Sequence, residues 1–238
     1  MRQTETTRST LVREKTVKIG HLILSTAFTA ATLSSAEAVP IVSADPGSTV
    51  TQFAGPYLKS TVPVVVENGV IVTSTFGNSD INDHGTYNLV GNGSWSNGGP
   101  NGIGYVAVND AIQVVRFTLP SLVSQVGAFL NYVPGFGPFT IRVLDDSNQV
   151  IESLQISGNS TYDILTPGAI NAGAFRGFDV GSAIIRSFEL EGGFGAATDL
   201  SFSALATDAP ELDARQAWLP LLSVLMLVAL RRKESAAR

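Results

Sequence analysis

Four groups of residues have side chains suited to a functional site. The first is His84 with Asp80 and Asp83 beside it. A Ser–His–Asp triad in the body of the chain would use this histidine, with one of the two aspartates as its orienter. The sequence contains no G-x-S-x-G nucleophile elbow, so His84 reads as a surface histidine in a polar loop. The second group is Glu189 and Glu191. Carboxylates two apart on a strand share a face, and paired carboxylates are what glycoside hydrolysis requires. Phe188 and Leu190 take the opposite face. That is the pattern of an ordinary half-buried strand with its acids in water.

The third group is Asp80, Asn82 and Asp83, oxygen ligands in the Gly-flanked residues 78–85. Ca²⁺ favours such a set, and Asp199 is a candidate to join it. EF-hand spacing is absent, and Asx turns form the same kind of loop without a metal. The fourth is Trp95, surrounded by Asn92, Ser94, Ser96 and Asn97. An aromatic face with polar neighbours is a sugar-binding platform. The competing reading folds Trp95 back as a lid on the sheet. Tyr132, Phe136 and Phe139 offer a second aromatic surface around Pro134-Gly135 and Gly137-Pro138, although a rigid packed turn explains them more simply.

The elements that must position these residues read as strands. Around Asn68-Gly69, residues 64–67 and 70–73 are β-branched runs, and Asn-Gly tolerates the positive φ angles of a two-residue type I′ hairpin. Further strands are expected at residues 112–119, 126–132, 139–144, 150–156, 184–191 and 200–205. Phe139, Ile141 and Val143 alternate on one face. No helical period persists between residues 39 and 208. Short strands separated by Gly, Asn, Asp and Pro predict an all-β chain, an antiparallel β-sandwich or jelly roll. The loop at residues 91–104 holds six glycines, and loops of that length are functional or disordered as a rule.

Composition narrows the chemistry. The chain has no cysteine, which removes disulfides, thiolate metal sites and cysteine nucleophiles. Zinc hydrolase sites need several histidines, and the only other one is His21 near the N-terminus. Residues 39–208 carry five basic and fourteen acidic side chains, net −9. An acidic domain repels phosphate backbones, so nucleic acid is not the expected partner.

The two ends read as addresses. Residues 1–38 are expected to be a signal peptide: a basic segment with Arg2, Arg8, Arg13, Lys15 and Lys18, an apolar segment at residues 19–33, then Ala36-Glu37-Ala38. Signal peptidase needs small residues at Ala36 and Ala38, and cleavage would leave Val39 first. At the other end, residues 217–230 are free of charge. As a helix they would span about 21 Å, short against a hydrocarbon core of roughly 30 Å. Trp218 suits one membrane interface, and Arg231, Arg232 and Lys233 suit the cytoplasmic one.

Pro210-Glu211, the short apolar segment and the basic end together resemble the PEP-CTERM sorting signal of bacterial exosortase substrates. Leu212 stands where the usual third motif residue is proline. The resemblance implies residues 209–238 as a sorting signal, with a short transmembrane helix cut near Pro210 by an exosortase-type membrane protease. It also implies release or attachment at the surface of a cell that makes extracellular polysaccharide. Residues 126–132, 137–145, 171–177 and 198–202 are similar to recurrent stretches of the β-sandwich regions of such substrates. The expectation is therefore a secreted, non-enzymatic structural or adhesive protein of the cell surface, extracellular matrix or biofilm, with signal peptidase and the exosortase-type protease as processing partners. The alternative is an exopolysaccharide-binding module centred on Trp95. No cofactor is expected beyond the Ca²⁺ candidate.

Overall fold

The computed structural model describes residues 38–75 and 79–203. Strands dominate, all pairs between them are antiparallel, and among the described residues helix is limited to three 3₁₀ turns. The larger sheet has eight strands. Along its path lie β1 (Val39–Ile41), β14 (Ala174–Asp179), β11 (Gln125–Asn131), β16 (Ala196–Ser203), β9 (Tyr105–Ala107), β6 (Asp80–Asp83) and β3 (Leu58–Lys59), with β2 (Thr49–Thr51) paired on the far half of β16. The second sheet has six: β13 (Val150–Gln155), β12 (Phe139–Leu144), β15 (Ile185–Gly192), β10 (Val114–Val123), β5 (Ile71–Ser74) and β4 (Val64–Val65). A separate two-stranded ribbon pairs β7 (Tyr87–Asn88) with β8 (Ser94–Trp95). The signal segment through Glu37 and the sorting tail lie outside the described residues. No helix among the described residues is long and apolar enough to cross a membrane.

The two large sheets face each other across one core, as a β-sandwich. Alternation sends Val115, Phe117 and Leu119 of β10, Phe139, Ile141 and Val143 of β12, and Phe188 and Leu190 of β15 inward. They meet Val126, Ala128 and Leu130 of β11, Phe178 of β14, and Leu200 and Phe202 of β16. Phe117 lies between Phe53 and Phe188, with ring centroids at 5.6 and 6.3 Å. Offset ring pairs add to plain area burial, so this triplet contributes beyond its buried area.

The β4–β5 hairpin forms where Asn68-Gly69 predicts it. Both residues hold positive φ, at 55° and 74°. The Val66 amide donates to the Val70 carbonyl at 2.9 Å, which nevertheless leaves three residues, 67–69, in the loop rather than two. Glu67 is the extra residue. Its carboxylate accepts the Gln52 amide at 3.2 Å, while the Asn68 amide donates to the Val50 carbonyl at 3.0 Å. Bonds to the β2 segment thus override the local two-residue preference. Residues 78–85 are corrected more strongly. Their polar sequence reads as a loop, yet Asp80–Asp83 is a strand between β9 and β3, because Ile81 is apolar enough to enter the core.

Glycine sets one close approach. Gly127 of β11 lies opposite Gly177 of β14, and a Cβ at Gly127 would sit 2.7 Å from the Arg176 carbonyl. Side chains on either residue would push these strands apart.

Truncating Phe117 to alanine removes the shared partner of both ring pairs. A loss of about 3–5 kcal/mol is expected, read as a lower denaturant midpoint with an unchanged m-value.

Candidate functional site

Trp95 is corrected as a sugar platform. It is 0% exposed. Its indole stacks on Phe129 at 6.4 Å and meets the edge of Tyr105 at 5.8 Å, and its N–H donates to the Ala172 carbonyl at 2.7 Å. Phe129 projects from the outer side of the eight-stranded sheet. The Gly-rich loop is therefore a lid closed over that outer face, with Leu89, Tyr105, Ala107, Val133 and Ala196 in a second small core beneath it.

Hydrogen bonds fix the lid. The Asn92 side chain, 2% exposed, donates to the Ile164 carbonyl at 2.7 Å and to the Tyr132 carbonyl and Asn131 Oδ1 at 3.1 Å. Its own oxygen accepts the Thr166 amide at 3.1 Å. Ser94 donates its amide to the Ala169 carbonyl at 3.0 Å, and Asn171 returns its amide to the Ser94 carbonyl at 2.8 Å. Gly93 (φ 83°) makes this approach feasible, since a Cβ there would lie 1.9 Å from the Ala169 oxygen. Beside the lid the Tyr132 hydroxyl bonds the Asp163 carboxylate, and the Arg176 guanidinium, its pKa lowered by burial, donates to the Tyr162 carbonyl at 2.8 Å.

The Asp80, Asn82 and Asp83 set is spent on the protein itself. Asp80 accepts from the Tyr57 hydroxyl at 2.7 Å and the Asn109 amide at 2.6 Å, and pairs with Lys59 at 3.5 Å. Asp83 accepts the Gly85 amide at 2.6 Å, an Asx turn. Asn82 is buried at φ 56°, donates to the Pro56 carbonyl at 3.3 Å, and leaves its Oδ1 without a hydrogen bond among the described residues. Asp199 is held by Asn101 at 3.0 Å instead of joining them. Among the described residues no three His, Asp or Glu side chains converge as metal ligands. His84 is exposed, with the Gly55 carbonyl at 3.4 Å as its contact.

The hydrogen bond to Asp80 pushes the Tyr57 phenol up to about 12 from its usual 10, with burial adding to the effect. Burial raises Tyr105 further, with the Asp83 charge adding to it, although the Tyr105 hydroxyl makes no well-formed hydrogen bond among the described residues.

Glu189 departs most from its sequence reading. It is not in water but 4% exposed. One carboxylate oxygen accepts Arg116 Nε at 2.7 Å, and the other accepts Arg142 Nε at 3.1 Å. Arg142 Nη2 reaches Glu191 at 2.9 Å, and Arg116 Nη1 donates to the Asn148 side chain at 2.7 Å. Strand register makes this a row straight across five strands: Thr73, Arg116, Glu189, Arg142 and Ser153. Sequence reading missed the row because its members come from five separate strands. The available signal was that Arg116, Arg142 and Glu189 each fall on the face opposite the apolar residues of their strands. The row lies on the outer face of the six-stranded sheet. Beside it Thr73, Ser74, Thr75, Val114, Arg116 and Glu189 line a shallow cavity of about 140 Å³. Phe136, half exposed, meets Phe194 edge to face at 5.7 Å at one end of the sandwich, while Phe139 and Tyr132 are core residues stacked at 5.4 Å.

Two predictions follow from this geometry. In Asn92→Ala, the amide of Thr166 and the carbonyls of Tyr132 and Ile164 lose their partner. The expected loss is about 1–3 kcal/mol, and amide exchange at Ser94 and Thr166 should quicken ahead of the core strands. Asp80→Asn should bring the Tyr57 ionisation down from about 12 toward 10, read by ultraviolet difference titration against a Tyr57→Phe control. Because the folded value is the higher one, the bond's contribution is intact below pH 10 and is lost as pH climbs through 12.

No family model matches the chain, and no curated protein matches it. Among solved structures it is similar to CsCBM6-3 from Clostridium stercorarium, determined in complex with cellobiose, at 13% identity and a TM-score of 0.30 over 65% of this chain and 97% of that one.

Proposed function

We propose that the chain is a secreted, non-catalytic β-sandwich that serves as a structural or adhesive component of the cell surface or extracellular matrix. Residues 1–38 direct export. Pro210, Glu211 and Leu212 mark the site for an exosortase-type protease, while Trp218, Arg231, Arg232 and Lys233 hold residues 217–230 transiently in the inner membrane. The reading calls for no cofactor.

One observation carries the non-catalytic part: the carboxylates best suited to chemistry are already engaged by other side chains of the protein. Glu189 is shared by two guanidiniums, and Asp80 is held by Tyr57, Asn109 and Lys59. A general acid must change its protonation during the cycle. Both Glu189 oxygens already accept arginine N–H donors, so neither is open to meet a substrate proton. The pinned lid supports a structural or adhesive role in the same way, because it makes a cysteine-free exterior rigid. Saccharide binding is the second reading. It is favoured by the open polar face of the six-stranded sheet and no longer involves Trp95.

Intact mass and terminal peptides of the protein from its native host test the proposal. The expected product begins at Val39 and ends near Pro210. A product that retains Arg231 to Lys233 would mean a permanent membrane tether and would end the sorting reading.

A further inference from the structure

The sandwich treats its two outer faces differently. The face of the eight-stranded sheet lies under the Trp95 lid, in a small core of its own. The face of the six-stranded sheet carries no such cover among the described residues. Its centre is the row Thr73, Arg116, Glu189, Arg142 and Ser153. Apart from Glu189 the paired side chains are partly exposed, and ion pairs open to solvent contribute little net stability because water screens them and ordering long side chains is costly. On an outer sheet face, threonine or valine pairs would serve the fold as well. What the network does supply is fixed polar atoms beside an open cavity.

We propose that this cavity binds a neutral, hydroxyl-rich saccharide segment, one sugar ring seated over Arg116 and Glu189. The proposal rests on the saccharide-binding reading and gives it a site. Charge selects the ligand class. Arg116 and Arg142 are balanced by Glu189 and Glu191, so the site has no net charge to attract an ion. An anion drawn to Arg116 meets the Glu189 carboxylate, and a cation drawn to Glu189 meets both guanidiniums. Sugar hydroxyls, which donate and accept together, fit such a mixed set. Arg116 has spent Nε on Glu189 and one Nη1 hydrogen on Asn148, and its Nη2 makes no hydrogen bond among the described residues. Thr73 and Thr75 line the cavity beside it, the Thr75 hydroxyl oxygen accepting the Val114 amide at 3.1 Å, and Val114 gives an apolar wall for the C–H face of a ring. The cavity has room for one ring, with a polymer continuing along the sheet.

The test is calorimetric titration of the secreted protein, as purified from its host, with neutral glucan, mannan and galactan hexasaccharides and with acidic polygalacturonate. Saturable binding of at least one neutral oligosaccharide is expected. Arg116→Lys keeps the charge but loses the planar fork, and should weaken binding about tenfold or more. Thr73→Val keeps shape and strand preference, so it guards against a folding artefact, and should weaken binding about threefold to tenfold. Binding of polygalacturonate alone, or of nothing, overturns the proposal. Neutral binding that survives both variants overturns this site yet leaves the saccharide reading standing. Loss of binding in Phe136→Ala, with Thr73→Val unaffected, moves the site to the aromatic end of the sandwich and also overturns it. None of these outcomes depends on how the termini are processed.

Discussion

The Asn92 amide holds the outside of this molecule together. It lies where three stretches distant in sequence meet: the Gly-rich loop, the end of β11 and the segment around Ile164 to Thr166. Those stretches have backbone groups that must be satisfied away from water, and one small planar side chain satisfies three of them. Leaving any of them unpaired would cost more than the bond itself returns. With Asn92 in place the loop can lie flat, and Trp95 can fill the space between Phe129 and Tyr105. A long loop rich in glycine thereby becomes a fixed layer of the fold.

That layer explains the asymmetry of the sandwich. The eight-stranded sheet has apolar residues on both faces, and Phe129 on its outer side would be exposed without the lid. The six-stranded sheet has no such need. Its inward residues alternate with Thr, Arg, Glu and Ser, and its arginines reach across strands to share one glutamate. One outer face is thus closed by apolar burial and the other by ion pairing. The second kind of closure leaves donors and acceptors available at the surface, so the proposed ligand face lies there.

The tyrosines follow the same division. Tyr87, Tyr105 and Tyr132 are raised chiefly by burial. Tyr57 stands half exposed at the edge strand β3, and it is raised chiefly by its bond to Asp80. At that edge the acidic residues that resemble a cation loop act as hydrogen-bond acceptors for the surrounding chain. Asp80 in particular ties β6 to Tyr57, Lys59 and Asn109, which lets a polar segment run as a strand.

The sequence by itself determined the all-β class, eight of the strands, the antiparallel sandwich, the inward faces of β12 and β15, and the position of the turn at Asn68-Gly69. These depend on a two-residue period and on local φ preferences, both of which act over a few neighbours. The β6 strand was hidden because Asp, Asn and Asp flank its single apolar residue, and only pairing with β9 and β3 makes it extended. Trp95 could be read as platform or lid, since exposure is decided by Phe129, Tyr105 and Ala172, which stand 10 to 77 positions away. The Thr73–Ser153 row depended on tertiary structure entirely. Its five members come from five strands, and only the registers of the folded sheet bring Glu189 between Arg116 and Arg142 and, with Glu191, turn separate surface charges into one balanced network.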